Sequence, residues 1–390
     1  MFNKEILYLI ENDLYRFIKD RESPQGSKIR IKGKELINFG SNDYLGFSNH
    51  PEVVEAAIEA LHKYGLGSGA SRLLSGGSII HRRLEERIAS FKDAEDSILF
   101  NSGYAANTGV IPAITNMDDL ILSDELNHAS IIDGCKLSKA KKIIYRHRDI
   151  GHIKEIISRE AAEIKGKVII VTDSVFSMDG DIAPIKDIYN LCSELNSSKK
   201  GRAILYIDDA HGTGVIGGGK GVLAHFGLKN ESWIIQMGTF SKALGSFGAF
   251  VAGTADIIDW LRNTSRSFIF TTALPVPVVA SSLRALEILE KNDEPVKKLW
   301  TNRERVVAGL SEIGFDVTES ETPIIPLFMG DTHKVLSLSR SLEEKGIYVP
   351  AIRPPTVKVP RLRITVTASH TEGEIRQLLE ELNDSCRLTN

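Results

Sequence analysis

Cysteine is scarce in this chain of 390 residues, which contains only Cys135, Cys192 and Cys386. An odd number of widely spaced cysteines cannot form a complete disulfide framework, and their spacing matches no zinc-binding pattern. The sequence therefore argues against a disulfide-stabilised scaffold, predicts no metal site and favours a reducing compartment.

Long apolar segments and an excess of one charge are missing as well. No run approaches the roughly 18 apolar residues that a membrane-spanning helix needs. The first residues intersperse Lys4, Glu5 and Glu11 among apolar positions, unlike a signal peptide. Lys and Arg number 48 against 51 Asp and Glu, for a net charge of -3. We therefore expect a cytoplasmic protein with no membrane span and no general nucleic-acid-binding surface.

Short apolar runs alternate with helical patterns from about residue 50 onward. Runs such as KVIIVTDS and AILYIDDA are apolar on both faces, as is typical of strands in a parallel sheet covered by helices. This alternation predicts an α/β fold whose ligands bind outside the carboxyl ends of the strands. The predicted strands cover residues 97–101, 119–124, 141–146, 167–174, 203–210 and 233–240.

The pattern changes after ALPVPVV (273–279), where long helical stretches are followed by the runs IIPLFMG and LRITVTA. We expect a large domain at residues 46–280 and a smaller C-terminal α/β domain at 281–390. Residues 1–45 are expected to form an N-terminal arm that begins with an amphipathic helix.

The glycine-rich segment GTGVIGGGKG (212–221) contains two partial nucleotide-binding patterns. GTGVIG matches G-x-G-x-x-G, and Gly214 to Lys220 nearly matches a P-loop. Neither pattern leads into an amphipathic helix, and Gly221 stands where a P-loop needs Ser or Thr. We expect a flexible loop near a ligand site here, and no dinucleotide site.

Polar residues stand where predicted strands end. Lys242 follows WIIQM in a Gly- and Ser-rich loop, where a deprotonated amine can form a Schiff base. Asp208 and His211 follow AILYI, and a buried carboxylate there needs a cationic partner. Taken singly, Lys242 fits a solvated surface lysine better, and Asp208 fits a capping or turn aspartate equally well.

Three further segments follow strands in the same way. SGYAAN (102–107) places small residues at a strand-to-helix turn, where backbone N–H groups and the helix dipole attract an anion. His128 lies in ELNHAS, and Ser177 lies in SVFSMDGD. An ordinary helix start and a capping or packing histidine are the alternatives. The chain order is phosphate turn, His, Ser, Asp-x-x-His and Thr-x-x-Lys.

That order resembles the pyridoxal-phosphate enzymes of the aspartate-aminotransferase fold, and longer strings resemble the α-oxoamine synthase family. The resemblance runs from about residue 36 to the last helix. It implies a fold type I transferase, with a mainly parallel seven-stranded sheet in the large domain and a smaller C-terminal α/β domain. The strings are NFGSNDYLG, GSGASRLLSG, HRRLEE, FNSGYAAN, ELNHAS, VFSMDGD, DDAHGTGVIG, GTFSKALGSFGAFVAG, FIFTTALPV and AIRPPTV with RLRITVTASH.

The resemblance implies pyridoxal 5'-phosphate as cofactor and gives roles to the residues around its ring. Lys242 would form the Schiff base and remove the α-proton of the amino acid. Asp208 would pair with the pyridinium nitrogen, and His211 with the phenolic oxygen. His128 would stack on the ring and help orient the acyl group, and Ser177 would lie close to the ring.

The resemblance also implies how the phosphate is held. Backbone groups at Gly103 and Tyr104 would bind it together with Thr239. Thr271 and Thr272 would reach the phosphate of the partner subunit's cofactor. The expected assembly is therefore a homodimer with shared active sites.

Substrate-binding residues follow from the same family strings. Arg363, in RLRIT, would bind the amino-acid carboxylate with Asn42 beside it, because a guanidinium can form two parallel hydrogen bonds to a carboxylate. Thr356, in RPPT, and Arg16 match substrate-contacting positions. Arg353 and Arg16 are the candidates for binding the far end of the acyl donor.

AIRPPTV and HGTGVIG most resemble the family members that join L-alanine to a pimeloyl thioester, on coenzyme A or acyl-carrier protein, in biotin synthesis. Members that use serine with a palmitoyl thioester or glycine with an acetyl thioester share most other strings. The segment VKVP is shorter than the Gly-containing segment common at this place. A non-catalytic regulatory subunit, against which Lys242 argues, and an NAD(P)-dependent reductase are the remaining alternatives.

Overall fold

A computed structural model describes residues 2–197 and 202–387 of the chain. Residue 1 of the expected arm and residues 388–390 of the expected small domain lie outside the described residues. The strands are β1 (Lys28–Ile31), β2 (Lys34–Asn38), β3 (Asp96–Phe100), β4 (Leu120–Asp124), β5 (Lys141–Tyr145), β6 (Val168–Asp173), β7 (Ala203–Asp208), β8 (Ile234–Thr239), β9 (Ala249–Gly253), β10 (Ile324–Phe328), β11 (Ile347–Tyr348), β12 (Ala351–Ile352) and β13 (Arg361–Thr365). The helices are α1 (Asn3–Glu11), α2 (Pro51–Tyr64), α3 (Ile79–Phe91), α4 (Gly103–Ala113), α5 (Ala129–Leu137), α6 (Ile150–Glu160), α7 (Ile185–Ser197), α8 (Val222–His225), α9 (Ala255–Thr264), α10 (Arg266–Ile269), α11 (Val276–Lys291), α12 (Glu294–Glu312), α13 (Thr332–Glu344) and α14 (Glu372–Arg387).

The chain divides into two compact units. The larger unit comprises His50–Phe176 and Ile182–Asp293, and the smaller unit comprises Met1–Asn49, Ser177–Asp181 and Glu294–Asn390. Within the described ranges, no helix is both long and apolar enough to cross a membrane.

The larger unit is built on a seven-stranded sheet with the strand order β3-β9-β8-β7-β6-β4-β5. All neighbouring pairs are parallel except the two that involve β9, which runs antiparallel to β3 and β8. Strands β4, β6, β8 and β9 are buried along their whole length because helices cover both faces of the sheet. The predicted mainly parallel sheet is confirmed.

An apolar core holds the strand ends of the larger unit in place. Ile98, Ile169 and Met237 from the sheet pack with Val110 and Ile131 from α4 and α5, and all are almost fully buried. Because interiors are close-packed, the two helices have little freedom to move relative to the strands that precede them.

The smaller unit contains two three-stranded sheets, with the orders β1-β2-β11 and β10-β13-β12. β13 is buried along its length and lies between β10 and β12, antiparallel to both. The core of this unit includes Phe39, Val306, Leu327 and Ile364. Two arginines of β13, Arg361 and Arg363, are only 5% exposed although the strand lies in an apolar core.

The glycine-rich segment 212–221 wraps around a buried ion pair. Lys92 Nζ lies 2.7 Å from Asp209 Oδ2, and both side chains are only 1% exposed. Thr213 Oγ1 donates to the same carboxylate over 3.1 Å, and Lys92 also donates to the Lys220 carbonyl. The helix that follows, α8, is four residues long, so the strand–turn–helix context of a nucleotide-binding motif is not formed. The segment is largely buried.

Candidate active site

The carboxyl ends of β3, β4, β6, β7 and β8 lie at one edge of the sheet in the larger unit, since these strands run in the same direction. The candidate residues of the large domain are found at this edge, as expected for an open α/β sheet. β6 and β7 are in register so that Asp173 pairs with Asp208.

Asp208 ends β7, and neutral donors hold its buried carboxylate. Asn107 Nδ2 donates to Oδ2 over 2.8 Å, and the Ala210 backbone N–H donates to Oδ1 over 3.0 Å. Burial raises the pKa of Asp208, while the charge of Lys242 and these two hydrogen bonds act against that rise. The charge of this acid therefore depends on the groups around it.

His128 caps the N-terminus of α5 through its ring. The Ser130 backbone N–H donates to Nδ1 over 3.2 Å, and Ser130 Oγ lies 2.7 Å from the same atom. The His128 backbone N–H donates to Asp173 Oδ2 over 2.6 Å. His128 is exposed overall, but partial burial of its ring lowers the pKa of the imidazole. The negative charge of Asp208 opposes this shift, and the positive charge of Lys242 adds to it. The neutral imidazole is favoured at neutral pH.

The start of α4 meets the end of β8 at Gly103 and Thr239. A Cβ added at Gly103 would lie 2.9 Å from Thr239 Cγ2, so a larger residue would displace the threonine. Thr239 is 4% exposed, and its Oγ1 has no hydrogen-bond partner within the described chain. The backbone N–H groups of Gly103 and Tyr104 have no acceptor among the same residues.

The Tyr104 side chain turns away from this backbone cradle. It is 48% exposed, and its hydroxyl donates to Asp133 on α5. This hydrogen bond raises the pKa of Tyr104. At the start of α4, Tyr104 can therefore offer its backbone N–H, but not its side chain, to a bound anion.

Lys242 lies in the turn that follows β8. Gly245 N–H donates to the Lys242 carbonyl over 2.9 Å, which closes the turn. The lysine side chain is half-buried, and its charge acts on both Asp208 and His128. His211 follows β7 and is 7% exposed. The structure thus brings Lys242, Asp208 and His128 together, as the sequence predicts.

Thr271 and Thr272 lie beside the loop between β3 and α4. Asn101 Nδ2 donates to Thr271 Oγ1 over 3.0 Å and to the Thr272 carbonyl over 2.9 Å. Thr272 is exposed and Thr271 is half-buried. Their expected role at a partner subunit's cofactor stays a prediction.

In the smaller unit, Arg363 is buried among neutral oxygen atoms. It donates to the Ser177 carbonyl over 2.5 Å, to Thr365 Oγ1 over 2.6 Å and to Asn42 Oδ1 over 3.2 Å. Burial lowers its pKa, and Tyr44 acts against that shift. Among the described residues Arg363 has no carboxylate partner, whereas Arg361, two residues earlier on β13, pairs with Asp179.

A second group in the smaller unit combines two cations, Arg16 and Arg353, with the hydroxyl of Thr356. Arg16 donates to Thr356 Oγ1 over 2.7 Å, and Arg353 donates to the carbonyls of Asp13 and Tyr15. Partial burial and the nearby charge of Arg16 both lower the pKa of Arg353. These two guanidinium groups lie close to each other, and their hydrogen bonds within the described residues go to neutral oxygens, an arrangement that suits the binding of an anion.

Sequence reasoning missed a layer of buried polar residues behind Asp208 and His128. Asn107, Ser130, Asp173 and Tyr206 all have at most 6% of their surface exposed. Asn107 lies in the family string FNSGYAAN as a polar residue directly after two alanines on α4, which is the signal that could have identified it.

The residues of the larger unit fit pyridoxal 5'-phosphate. The Thr239 hydroxyl and the N–H groups at the start of α4 are donors that lack acceptors, as a phosphate site requires. The buried Asp208 carboxylate suits a protonated pyridine nitrogen, and Lys242 supplies an amine.

Comparisons with known proteins identify relatives along nearly the whole chain. Residues 34–382 match the family model described as aminotransferase class I and II. A protein of Thermodesulfovibrio yellowstonii, provisionally named as an 8-amino-7-oxononanoate synthase, is 53% identical over 378 residues, covering 97% of this chain and 95% of the relative. The 8-amino-7-oxononanoate synthase of Thermosipho melanesiensis is 44% identical over 384 residues, covering 98% and 96%.

Solved structures include the serine palmitoyltransferase of S. paucimobilis with bound pyridoxal phosphate. It superposes with a TM-score of 0.91 at 29% identity and covers 99% of this chain and 98% of its own.

Proposed function

The chain belongs to the class I and II aminotransferase family and, within it, to the α-oxoamine synthases, and from this membership we propose that it condenses L-alanine with a pimeloyl thioester. It is an acyltransferase that depends on pyridoxal phosphate. In the proposed reaction the amino acid loses its carboxyl group as carbon dioxide, the acyl group joins its α-carbon, and the thiol leaves. The product is 8-amino-7-oxononanoate.

The observation that carries the proposal is the buried guanidinium of Arg363, which has no carboxylate partner in the part of the chain that the structure describes. A buried charge normally has a partner of opposite charge, because its burial is otherwise costly. The carboxylate of an amino acid supplies that partner, and Asn42 adds an amide beside it. The choice of alanine and of a pimeloyl donor rests on the names of relatives that are 44% and 53% identical.

Bound pyridoxal phosphate supplies an electron sink that stabilises negative charge at the α-carbon of an amino acid. Gly103, Tyr104 and Thr239 would hold its phosphate, and Asp208 would offer a carboxylate to its ring nitrogen. His211 and Ser177 would contact its phenolic oxygen.

Proton transfer at the α-carbon is assigned to Lys242. As a neutral amine, its Nζ would accept the α-proton, while an ionised Asp208 would balance the charge of the protonated ring nitrogen. His128, neutral and hydrogen-bonded at Nδ1, presents its other nitrogen as a donor toward the acyl oxygen.

Arg16, Arg353 and Thr356 are proposed to bind the far end of the acyl donor. Within the described residues, these two neighbouring guanidinium groups donate hydrogen bonds to neutral oxygens. They can therefore bind the terminal carboxylate of a pimeloyl chain. A carrier, whether coenzyme A or acyl-carrier protein, would then extend away from this end.

A second candidate is the condensation of serine with a long-chain acyl thioester. The superposition on a serine palmitoyltransferase at a TM-score of 0.91 favours it. The identity to that protein is 29%, against 53% and 44% for the two relatives named above, so alanine remains the better supported substrate.

The role of Arg363 can be tested by amino-acid binding. We expect Arg363→Lys to weaken L-alanine binding at least 10-fold but to change L-alaninamide binding little, since the amide lacks the carboxylate that the fork geometry recognises. The measurement is a titration of the bound cofactor's visible absorption with each compound.

Arg361→Lys is the matched control, because Arg361 lies on the same strand but is paired with Asp179. It should leave the ratio of alanine to alaninamide affinity unchanged. An equal loss of both ligands in Arg363→Lys would contradict the assignment.

A further inference from the structure

Asn107 is a buried amide in the second turn of α4, surrounded by apolar side chains. It is fully buried, as are Ala106, Val110 and Ile111 on the same helix. A primary amide is costly to bury unless its donors and its acceptor are all hydrogen-bonded. The role of Asn107 can therefore be inferred from its three hydrogen-bond partners.

Both hydrogens of the Asn107 amide are used. One goes to Asp208 Oδ2 over 2.8 Å, and the other goes to Ser130 Oγ over 2.8 Å. The amide oxygen accepts the Tyr206 hydroxyl over 2.8 Å. An ionised carboxylate can only accept, so the end of the amide that faces Asp208 must be Nδ2, and the oxygen then faces the Tyr206 hydroxyl.

The hydrogen bond to Asp208 favours the ionised carboxylate. Burial pushes this acid toward its neutral form, and a donor to Oδ2 stabilises the charge that burial opposes. Ala210 holds the other oxygen through its backbone N–H, so Asn107 is the side chain that fixes the orientation of the carboxylate.

The hydrogen bond from Asn107 to Ser130 determines which atom is the donor in the contact between Ser130 and His128. Ser130 Oγ accepts from Asn107, so its own hydrogen is free to be donated to His128 Nδ1, 2.7 Å away. The Ser130 backbone N–H points to the same nitrogen. With two donors aimed at Nδ1, the ring proton belongs on Nε2.

We propose that Asn107 is a positioning residue that joins Asp208 and His128 into one hydrogen-bonded unit, holding the first as an oriented carboxylate and the second, through Ser130, as the Nε2–H tautomer. The inference rests on the proposed roles of Asp208 at the cofactor nitrogen and of His128 at the acyl group. It assigns Asn107 and Ser130 no contact with substrate.

The test uses nitrogen NMR of the holoenzyme, with ¹⁵N in the histidine rings and in the cofactor's pyridine ring. In Asn107→Ala the proton on the pyridine nitrogen should shift toward Asp208, and the preference of His128 for the Nε2–H tautomer should weaken, because only the Ser130 backbone N–H is then held as a donor to Nδ1. The dissociation constant of the cofactor should rise about 10-fold, in line with the loss of one hydrogen bond to a charged group. Asn302→Ala is the control, because Asn302 is equally buried and donates twice, to the carbonyls of Thr367 and His370.

Ser130→Ala separates the effect of Asn107 on His128 from its effect on Asp208. It also provides a test if Asn107→Ala does not fold. It should weaken the preference of His128 for the Nε2–H tautomer, since one of the two donors to Nδ1 is lost, while leaving the pyridine nitrogen protonated; a general loss of stability would not separate the two effects. Unchanged spectra in Asn107→Ala and Ser130→Ala would overturn the proposal.

Asp208→Asn distinguishes this failure from failure of the proposed function. If Asp208→Asn removes the pyridine proton but Asn107→Ala has no effect, only the role of Asn107 is wrong. If Asp208→Asn also leaves the nitrogen protonated, the proposed role of Asp208 is wrong and the inference falls with it.

Discussion

Asp208 and Asp209 are neighbours in the chain, and both are buried, but their partners differ. Asp209 pairs with the cation Lys92 and takes further hydrogen bonds from Ser174 and Thr213. Asp208 takes hydrogen bonds from two neutral donors, the Asn107 amide and the Ala210 backbone N–H. Asp209 therefore has its counter-ion, Lys92, within the protein. We expect Asp208 to pair instead with the protonated ring nitrogen of the cofactor.

The matched variants Asp209→Asn and Asp208→Asn should therefore fail in different ways. Asp209→Asn leaves Lys92 buried without its counter-ion and should lower the free energy of unfolding by about 3–5 kcal/mol. Asp208→Asn should change stability little but slow α-proton exchange of the amino acid by several orders of magnitude, because the ring nitrogen loses its charge partner. Denaturant unfolding and exchange in deuterated water measure the two effects. Normal exchange in Asp208→Asn would contradict its assignment.

At the scale of single residues, the sequence could predict which side chains lie near one another at the carboxyl ends of the strands, whereas their roles stay predictions. The three positions that the structure brings together, Lys242, Asp208 and His128, each lie at or just after the end of a strand in a recognisable string. Asn107 and Ser130 could not be assigned in this way, because the meaning of a buried polar residue depends on which distant side chains reach it. Asn107 and Tyr206 are separated by 99 residues in the sequence, so local patterns cannot supply that information.

Among the elements, the strands that alternate with helices were predictable, and the irregular ones were not. β9 is short and lies among glycines, so its apolar run does not stand out, although it completes the sheet as the antiparallel member. α11 begins at Val276, inside the segment ALPVPVV, because a proline is tolerated in the first helical turn. The apolar segment near 347–352 is two short strands, β11 and β12, in different sheets.

The turn before α14 is fastened to β2 by the buried ring of His370. Its Nε2 lies 3.1 Å from the Asn38 carbonyl, its Nδ1 lies 3.0 Å from the Thr367 nitrogen, and it stacks on Phe39 at 4.2 Å. Burial lowers the pKa of His370 from 6.5 to about 4. The folded chain thus holds this ring neutral at pH values where the unfolded chain binds a proton.

This difference predicts a loss of stability in acid. The contribution of His370 is complete above pH 6.5 and is lost as the pH falls toward 4, amounting to about 3 kcal/mol over that window. His370→Gln should lose less stability than the parent protein between pH 7 and pH 4.5 in denaturant titrations. The exposed His62→Gln is the control and should keep the parental pH dependence. An equal loss in His370→Gln and the parent would contradict this account of the turn.

On the scale of the whole molecule, the larger unit carries apolar side chains at its surface. Val54, Ile58 and Leu61 on α2 are each 40% exposed, and Leu74 and Phe270 are 79% and 71% exposed. Exposed apolar groups of this size are typical of protein interfaces. We expect them to be covered in a two-fold dimer, in which Thr271 and Thr272 complete the partner's phosphate site.

Mixing two inactive variants tests the shared site. Lys242→Ala lacks the lysine, and the double variant T271A/T272A lacks the threonines, so each homodimer should have little activity. A heterodimer would contain one intact site, and random mixing should restore about a quarter of the parental sites. The measurement is turnover after joint refolding or co-expression, with subunit mass checked by sedimentation. Heterodimers that form but remain inactive would show that the threonines serve their own subunit.

The central claim is the reaction itself, and a single competition experiment tests it most directly. The purified holoenzyme is given equal amounts of L-alanine, glycine and L-serine with pimeloyl, acetyl and palmitoyl thioesters, and the products are identified by mass spectrometry. The account predicts 8-amino-7-oxononanoate as the main product, with the thioester decided more sharply than the amino acid, since one missing methyl group limits discrimination to about 10–200-fold. A main product built from serine and the palmitoyl donor, or from glycine and the acetyl donor, would contradict it.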